Sequence, residues 1–149
     1  MKSVIRVTLA LVIFFSAAFA QTHGTKDEAE AMVKKAVQFF KANGKDKAFA
    51  EFSNPDGKFI SKDLYVFVYD LTGKCVAHGG NPKMIGKDLI DLKDPDGKPF
   101  VKERLEIIKS KGKGWQEYKF LNPTSKKIED KTAYIEKCDE YVVGCGAYK

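Results

Sequence analysis

Cys75 and His78 come nearest to catalytic machinery in this sequence, a thiol and a base close together in the chain. A hydrolase of that kind needs the two within hydrogen-bonding reach. They stand three residues apart on a predicted strand, and alternation then sends them to opposite faces. No nucleophile–base pair and no enzyme are expected. Asp94, Asp96, Gly97 and Glu103 invite a calcium-loop test. With Gly97 at the sixth loop position, Asp94, Asp96 and Glu103 fall on the third, fifth and twelfth. The first position is then Leu92, which cannot ligate calcium, and Pro99 lies inside the loop, so no metal is expected. The three cysteines, Cys75, Cys138 and Cys145, form no C-x-x-C and no C-x-x-C-H, which removes zinc-ribbon, thioredoxin-type and c-type haem readings. If Asp139-Glu140 is a two-residue turn, Cys138 faces Tyr141 and Cys145 faces Tyr134. Their thiols then lie on the order of 13 Å apart along the ladder, whereas a bridge needs Cα atoms within about 7 Å. A Cys138–Cys145 bridge is therefore not expected, the odd count leaves at least one thiol free or paired between molecules, and no cofactor is implied.

Two residues could meet an anion. His78 ends a strand just before Gly79-Gly80, where a loop opens. It is either a pocket donor to an anionic ligand or an ordinary half-buried ring bonded to loop backbone, and the sequence leaves both open. Lys131 opens a later strand after Lys126-Lys127. In isolation such a lysine is solvated; inside a walled pocket its ammonium would fix a carboxylate. Rings surround these positions in the pattern. Tyr65, Phe67 and Tyr69 share one strand face, and Trp115, Tyr118 and Phe120 crowd another strand, with Trp115 on the opposite parity. Most of them must be core, because aromatic rings dominate core burial. Tyr65, Phe67 and Tyr118 are the candidates for a ligand pocket, with Trp115 as packing. The other histidine, His23, is expected to be disordered.

These residues need elements to position them. Thr25-Lys26-Asp27-Glu28 is a capping box, and Ala29, Met32, Val33, Ala36, Val37 and Phe40 behind it form an amphipathic helical stripe that Gly44 stops. A short helix with Ala48, Phe49 and Phe52 follows, ended by Asn54-Pro55. Leu64 to Tyr69 is β-branched and aromatic throughout, which reads as a strand buried on both faces. Asp70 to Gly73 turns the chain into a strand over Lys74 to His78. Residues 83–98 form a long connection, and Pro99 opens a helix with Phe100, Val101, Leu105 and Ile108 on one side, ended by Gly112. Three antiparallel strands close the chain: Trp115 to Phe120, Lys131 to Lys137 and Tyr141 to Tyr148. The class is α+β, a five-stranded antiparallel sheet with helices on its faces.

Composition bounds the compartment and the partners. Lys2 and Arg6 precede an apolar run over Val7 to Phe15, and Ala18-Phe19-Ala20 is a small-x-small cleavage pattern. The run is short for a bilayer span, so residues 1–20 read as a signal peptide, with a retained anchor helix as the alternative. Residues 21–149 form one domain, soluble in the periplasm or outside the cell. Cleavage leaves 129 residues and lowers the charge from +6 to +4, enough chain for one core. Lysines alternate with acids rather than forming a basic stripe, so nucleic acid is not an expected partner.

The order of these pieces resembles the single Cache domain, a PAS-like extracellular sensor module of chemoreceptors and kinases. Tyr65-Val66-Phe67-Val68 with Asp70 and Gly73 is similar to the family's first hairpin. Ala77-His78, Asn81-Pro82 and Ile85 to Leu89 are similar to its connection, and Asp96-Gly97 with Phe100-Val101 to its helix. Gly112-x-Gly114-Trp115 through Asn122-Pro123, Lys131-x-x-Tyr134, and Val142-Val143-Gly144-x-Gly146-x-Tyr148 are similar to its last three strands. The resemblance implies a pocket on one sheet face for a small molecule, often a short carboxylate such as acetate, lactate, propionate or pyruvate. It raises Lys131 to a site residue beside Tyr65, Phe67, His78 and Tyr118, with the acid group at Lys131 and His78 and the ligand's tail on Tyr65 and Phe67. Receptors of the family continue into a second membrane helix and a signalling domain, whereas this sequence ends at Lys149. The expectation is that this chain hands its ligand state to a partner such as a membrane receptor or kinase, acts as a binding protein, or is a relic module. The alternative is an interaction module with no ligand, dimerising through the N-terminal helix.

Overall fold

The computed structural model describes residues 23–149. The signal-peptide reading of residues 1–20 lies outside the described residues. Helix α1 spans Lys26–Asn43. Its start is fixed reciprocally: the Glu28 amide donates to Thr25 Oγ1, and the Thr25 amide donates to the Glu28 carboxylate. Gly44, at φ 78°, ends it with its amide on the Phe40 carbonyl. Helix α2, Lys45–Phe52, follows directly.

The sheet has six strands rather than five, because a two-residue strand β1, Ile60–Ser61, is added at one edge. The others are β2 (Leu64–Asp70), β3 (Cys75–His78), β4 (Lys113–Leu121), β5 (Ile128–Cys138) and β6 (Tyr141–Tyr148). Their order is β1-β2-β6-β5-β4, with β3 also on β2, and every pairing is antiparallel. Helix α3, Phe100–Lys111, crosses over between β3 and β4 and stops at left-handed Gly112. The β5–β6 hairpin has the register that a two-residue turn demands: Cys138 opposes Tyr141 and Tyr134 opposes Cys145. Asp139 takes the left-handed φ of 50° in that turn. All three thiols are free and buried.

Alternation along β2 splits the core in two. Leu64, Val66 and Val68 join Ala29, Val33, Ala36 and Phe40 of α1 and Phe52 of α2. Tyr65, Phe67 and Tyr69 face the other way, toward Phe100, Val101 and Ile108 of α3. The apolar stripe of α1 is therefore spent on the sheet. No helix among the described residues is long and apolar enough to cross a membrane.

Two expectations need correction. Cys75 and His78 share a face of the sheet. A register shift between Val68 and Tyr69 lets His78 oppose Phe67 while Cys75 opposes Tyr69, and cross-strand partners point the same way. The pair still lacks a nucleophile, since burial pushes the Cys75 thiol up to about 12. His23 is ordered: its Nδ1 lies 2.7 Å from Asp63 Oδ2, and the Gly24 amide donates to Asp63 Oδ1 at 2.7 Å. Buried Asp63 also accepts from Asn122, which ties the start of α1 to the β4–β5 loop.

Candidate functional site

The second core cluster contains charge. Lys131 on β5 and Arg104 on α3 are each 1 % exposed, among the largest fully buried side chains of the molecule. Neither has an acidic partner among the described residues, where every ion pair involves other groups. An uncompensated buried ion costs several kcal/mol, so the surroundings of these two matter.

Lys131 lies inside rings. Its Nζ donates to Tyr65 Oη at 2.7 Å and to Tyr148 Oη at 3.3 Å. It also stands 4.0 Å from the Tyr65 ring centre, 4.6 Å from Tyr148, and 5.5 Å from both Phe67 and Phe120. Aromatic faces attract a cation and offset part of its lost hydration. The β6 glycines make this possible. A Cβ at Gly146 would strike the Lys131 stem, and one at Gly144 would run into the Phe67 ring. Burial, opposed by the buried Cys145 thiol and reinforced by the Arg104 charge, brings Lys131 down to about 7.

Arg104 is held by Gln116 and by the rings around it. Its Nε donates to Gln116 Oε1 at 3.2 Å, and Gln116 in turn donates to the Phe100 carbonyl at 2.6 Å. The guanidinium carbon lies 4.4 Å from the Phe67 ring centre, 4.8 Å from Tyr69, 5.4 Å from Tyr118 and 5.6 Å from Phe100. Its Nη2 is buried without a hydrogen-bond acceptor among the described residues. Native proteins leave few such groups, and each one points to strain or to a missing partner. Phe67 touches both cations and sets them in one cluster.

His78 is buried rather than half-buried, at 2 % exposure, with its ring beside Tyr65, Phe67 and Phe120. Its Nδ1 accepts the Asn81 amide at 2.9 Å. That fixes the neutral tautomer with the proton on Nε2. Burial, then the charges of Lys131 and Arg104, lowers it to about 3. His78 thus bonds loop backbone and also belongs to the cluster, and it carries no charge there. Tyr118 stacks on Phe100 at 4.7 Å and opposes Lys131 across the ladder. Trp115 lies on the other face against Tyr134, with Lys26 over its ring.

The structure therefore brings Tyr65, Phe67, His78, Tyr118 and Lys131 together, and it adds Arg104, Tyr148, Phe120 and Gln116. Arg104 had a legible signal. It stands four residues after Phe100 and four before Ile108, in the middle of the apolar stripe of α3. Two surface hollows of about 180 and 190 Å³ flank the cluster along β4. One is lined in part by Tyr118 and Lys131, the other by Phe100 and Phe120, and Asp94 and Lys119 border both. Between them Asp94 Oδ2 accepts the Lys119 amide at 3.0 Å, while its Oδ1 holds the turn at Asp96 and Lys98.

The family model for single Cache domain 2 matches residues 1–149. The chain belongs to the single Cache domain family. Over 89 residues it is 36 % identical to the sensor histidine kinase MctS of Rhizobium johnstonii, a match covering 58 % of this chain and 19 % of that protein. Over 88 residues it is 31 % identical to the methyl-accepting chemotaxis protein McpP of Pseudomonas putida, covering 58 % and 16 %. The matched stretch thus spans less than a fifth of the length of these relatives. Among solved structures, a Cache chemosensory domain described for carboxylic acid recognition is 27 % identical, with a TM-score of 0.70 over 82 % of this chain and 91 % of that one. A methyl-accepting chemotaxis protein from Vibrio parahaemolyticus gives 27 % identity and a TM-score of 0.71 over 83 % and 87 %. The α+β antiparallel architecture is that of a Cache sensor domain of chemoreceptors and histidine kinases.

Proposed function

We propose that this Cache domain binds a short organic carboxylate between Lys131 and Arg104 and does no chemistry on it. One observation carries the reading: two buried basic side chains share an aromatic cage, and no acid among the described residues pairs with either one. A bound carboxylate would accept from the orphaned Arg104 Nη2 and from the Lys131 ammonium, replacing an unpaired buried charge by a charge-assisted pair. His78 would contribute its Nε2–H as a neutral donor. Tyr65, Phe67 and Tyr118 would hold the ligand's apolar part, which keeps that part small. The resting site is closed, with Tyr65, Phe67, His78, Arg104 and Lys131 each at most 2 % exposed. Admission would therefore loosen the connection around Asp94, which is held to β4 by the Asp94 carboxylate, the Asp96–Lys119 ion pair and the Lys98 side chain on the Glu117 carbonyl.

The likeness to a Cache domain described for carboxylic acid recognition supports the ligand class. In the same reading residues 1–20 direct export and are removed, and residues 21–149 work outside the cytoplasm. The ligand state would then pass to a membrane receptor or kinase, as the similar sensor proteins suggest. A thermal-shift screen against acetate, propionate, pyruvate, lactate, amino acids and urea tests it. A short monocarboxylate should raise the melting temperature, and Lys131→Ala should abolish the shift. A shift that survives Lys131→Ala removes this site from consideration.

A further inference from the structure

The hydrogen bonds around Lys131 run in one direction. Tyr148 Oη donates to the Leu121 carbonyl at 2.8 Å, so its proton is committed. Across the 2.9 Å contact between the two phenols, Tyr65 must then be the donor. Tyr65 Oη in turn accepts from Lys131 at 2.7 Å, and Tyr148 Oη accepts a second proton from Lys131 at 3.3 Å. An ammonium has three N–H donors and a neutral amine two. The described surroundings supply acceptors for two. The third proton of Lys131 has no acceptor, and the nearby fixed charge, Arg104, repels it.

The other described groups around Lys131 form no ion pair with it, including Asp94, Asp96, Glu117 and Asp130, which line the hollow beside it. From β2 and β6 come Tyr65 and Tyr148, both held protonated by burial, while the Cys145 thiol lies on the opposite sheet face against Met32. From β3 comes His78, neutral with Nδ1 occupied. From β4 comes Tyr118, also protonated. From the β1–β2 turn Asp63 acts only at a distance, and its oxygens are already taken by His23, Gly24 and Asn122. A carboxylate seated between the two groups would cancel the Arg104 charge and would also give the third N–H of Lys131 the acceptor it lacks, so that a proton taken up onto Nζ is bonded at once.

Resting on the carboxylate reading, we propose that the site takes up its ligand together with a proton: the resting Lys131 is a neutral amine, and binding RCOO⁻ moves one proton from solvent onto Nζ to form the ammonium–carboxylate pair. The domain then reports the product of acid and proton concentrations rather than acid alone. The third N–H made in this step is the one that bonds the ligand. The lowering of Lys131 to about 7 places the coupling in the neutral range. Proton uptake per acid bound approaches zero near pH 6, is about one half near pH 7 and approaches one above pH 8, where apparent affinity falls about tenfold per pH unit.

Isothermal titration of acetate and of propionate into the protein, in buffers of different ionisation enthalpy at pH 6, 7 and 8, counts these protons. Uptake that rises from near zero to near one over this range supports the coupling. In parallel, ¹³Cε and ¹⁵Nζ resonances of Lys131 in the ligand-free protein should titrate near neutrality. Lys131→Arg keeps the charge at every pH, so any acid it binds should carry no proton. Acid binding with the same proton count at all three pH values, or a Lys131 that titrates above pH 9 without ligand, overturns the coupling and leaves the carboxylate reading standing. Failure of both acids to bind at every pH overturns the two together.

Discussion

The two faces of the sheet are cut from the same strands, often from alternate residues of one strand, yet they differ in kind. On β2, Leu64, Val66 and Val68 meet α1 and α2, and the rings of Phe39, Phe52 and Phe59 close around each other at 4.7–6.1 Å. Tyr65, Phe67 and Tyr69, one residue over, meet α3 and enclose Lys131, Arg104 and His78. The first face has what a stable core needs. The second carries cations whose desolvation works against folding. A sheet that is sealed on one side can tolerate an unfavourable arrangement on the other, which is the usual trade between stability and a binding site.

That contrast can be broken or sharpened by experiment. Phe52→Ala empties the centre of the sealed face and should cost about 3–5 kcal/mol in urea unfolding. Ligand affinity, measured where the variant is folded, should stay within about twofold. A large loss of affinity would mean that the faces are not independent.

The pH profile of stability should carry the mark of the cationic face. Lys131 has a folded value of about 7 against 10.5 for the free side chain. Between these values the unfolded chain holds a proton that the folded chain lacks, so stability rises with pH. From pH 7 to 9 the expected gain is about 2 kcal/mol, and Lys131→Met should flatten it. On the acid side His78, at about 3 against 6.5, lowers stability as pH falls through this window. Past pH 9 Cys75 and Cys145, both pushed up to about 12 by burial, hold protons that the unfolded chain releases, and stability turns down. Chemical denaturation from pH 4 to 10 reads the whole curve.

Gly144→Ala should cost about 1–3 kcal/mol, because the new methyl meets the Phe67 ring. Since Phe67 contacts both Lys131 and Arg104, acid affinity should fall with it. Arg104→Met should leave stability unchanged or raise it by about 1 kcal/mol, while the acid-induced thermal shift disappears. A destabilised Arg104→Met would instead make the guanidinium a structural element. Smallest of all, Lys119→Ala removes an exposed pair with Asp96 and should change neither melting temperature nor affinity measurably.

Much of this molecule is written locally. The limits of α1 follow from Thr25, Glu28 and Gly44, and the β5–β6 register follows from a two-residue turn, because caps and tight turns involve neighbours in sequence. The face shared by Tyr65, Phe67 and Tyr69 follows from strand alternation. The family and its fold class were legible in the ordered motifs from Tyr65 to Tyr148. Other features depend on distant segments. The register shift that brings Cys75 and His78 to one side is a mismatch between two strands and leaves no trace in either alone. His23 gains its order from Asp63, forty residues away, whose buried carboxylate accepts the ring.

The sequence by itself determined the helices and every strand but β1, the strands' apolar faces and the presence of Lys131, Tyr65, Phe67, His78 and Tyr118 in positions able to share a face. Only the tertiary structure decided that Arg104 joins them, that His78 is neutral and that the third proton of Lys131 lacks an acceptor. The reason is physical. Periodicity specifies which way a side chain points, but the charge it can keep depends on what surrounds it, and those surroundings come from β2, α3, β4 and β6 at once.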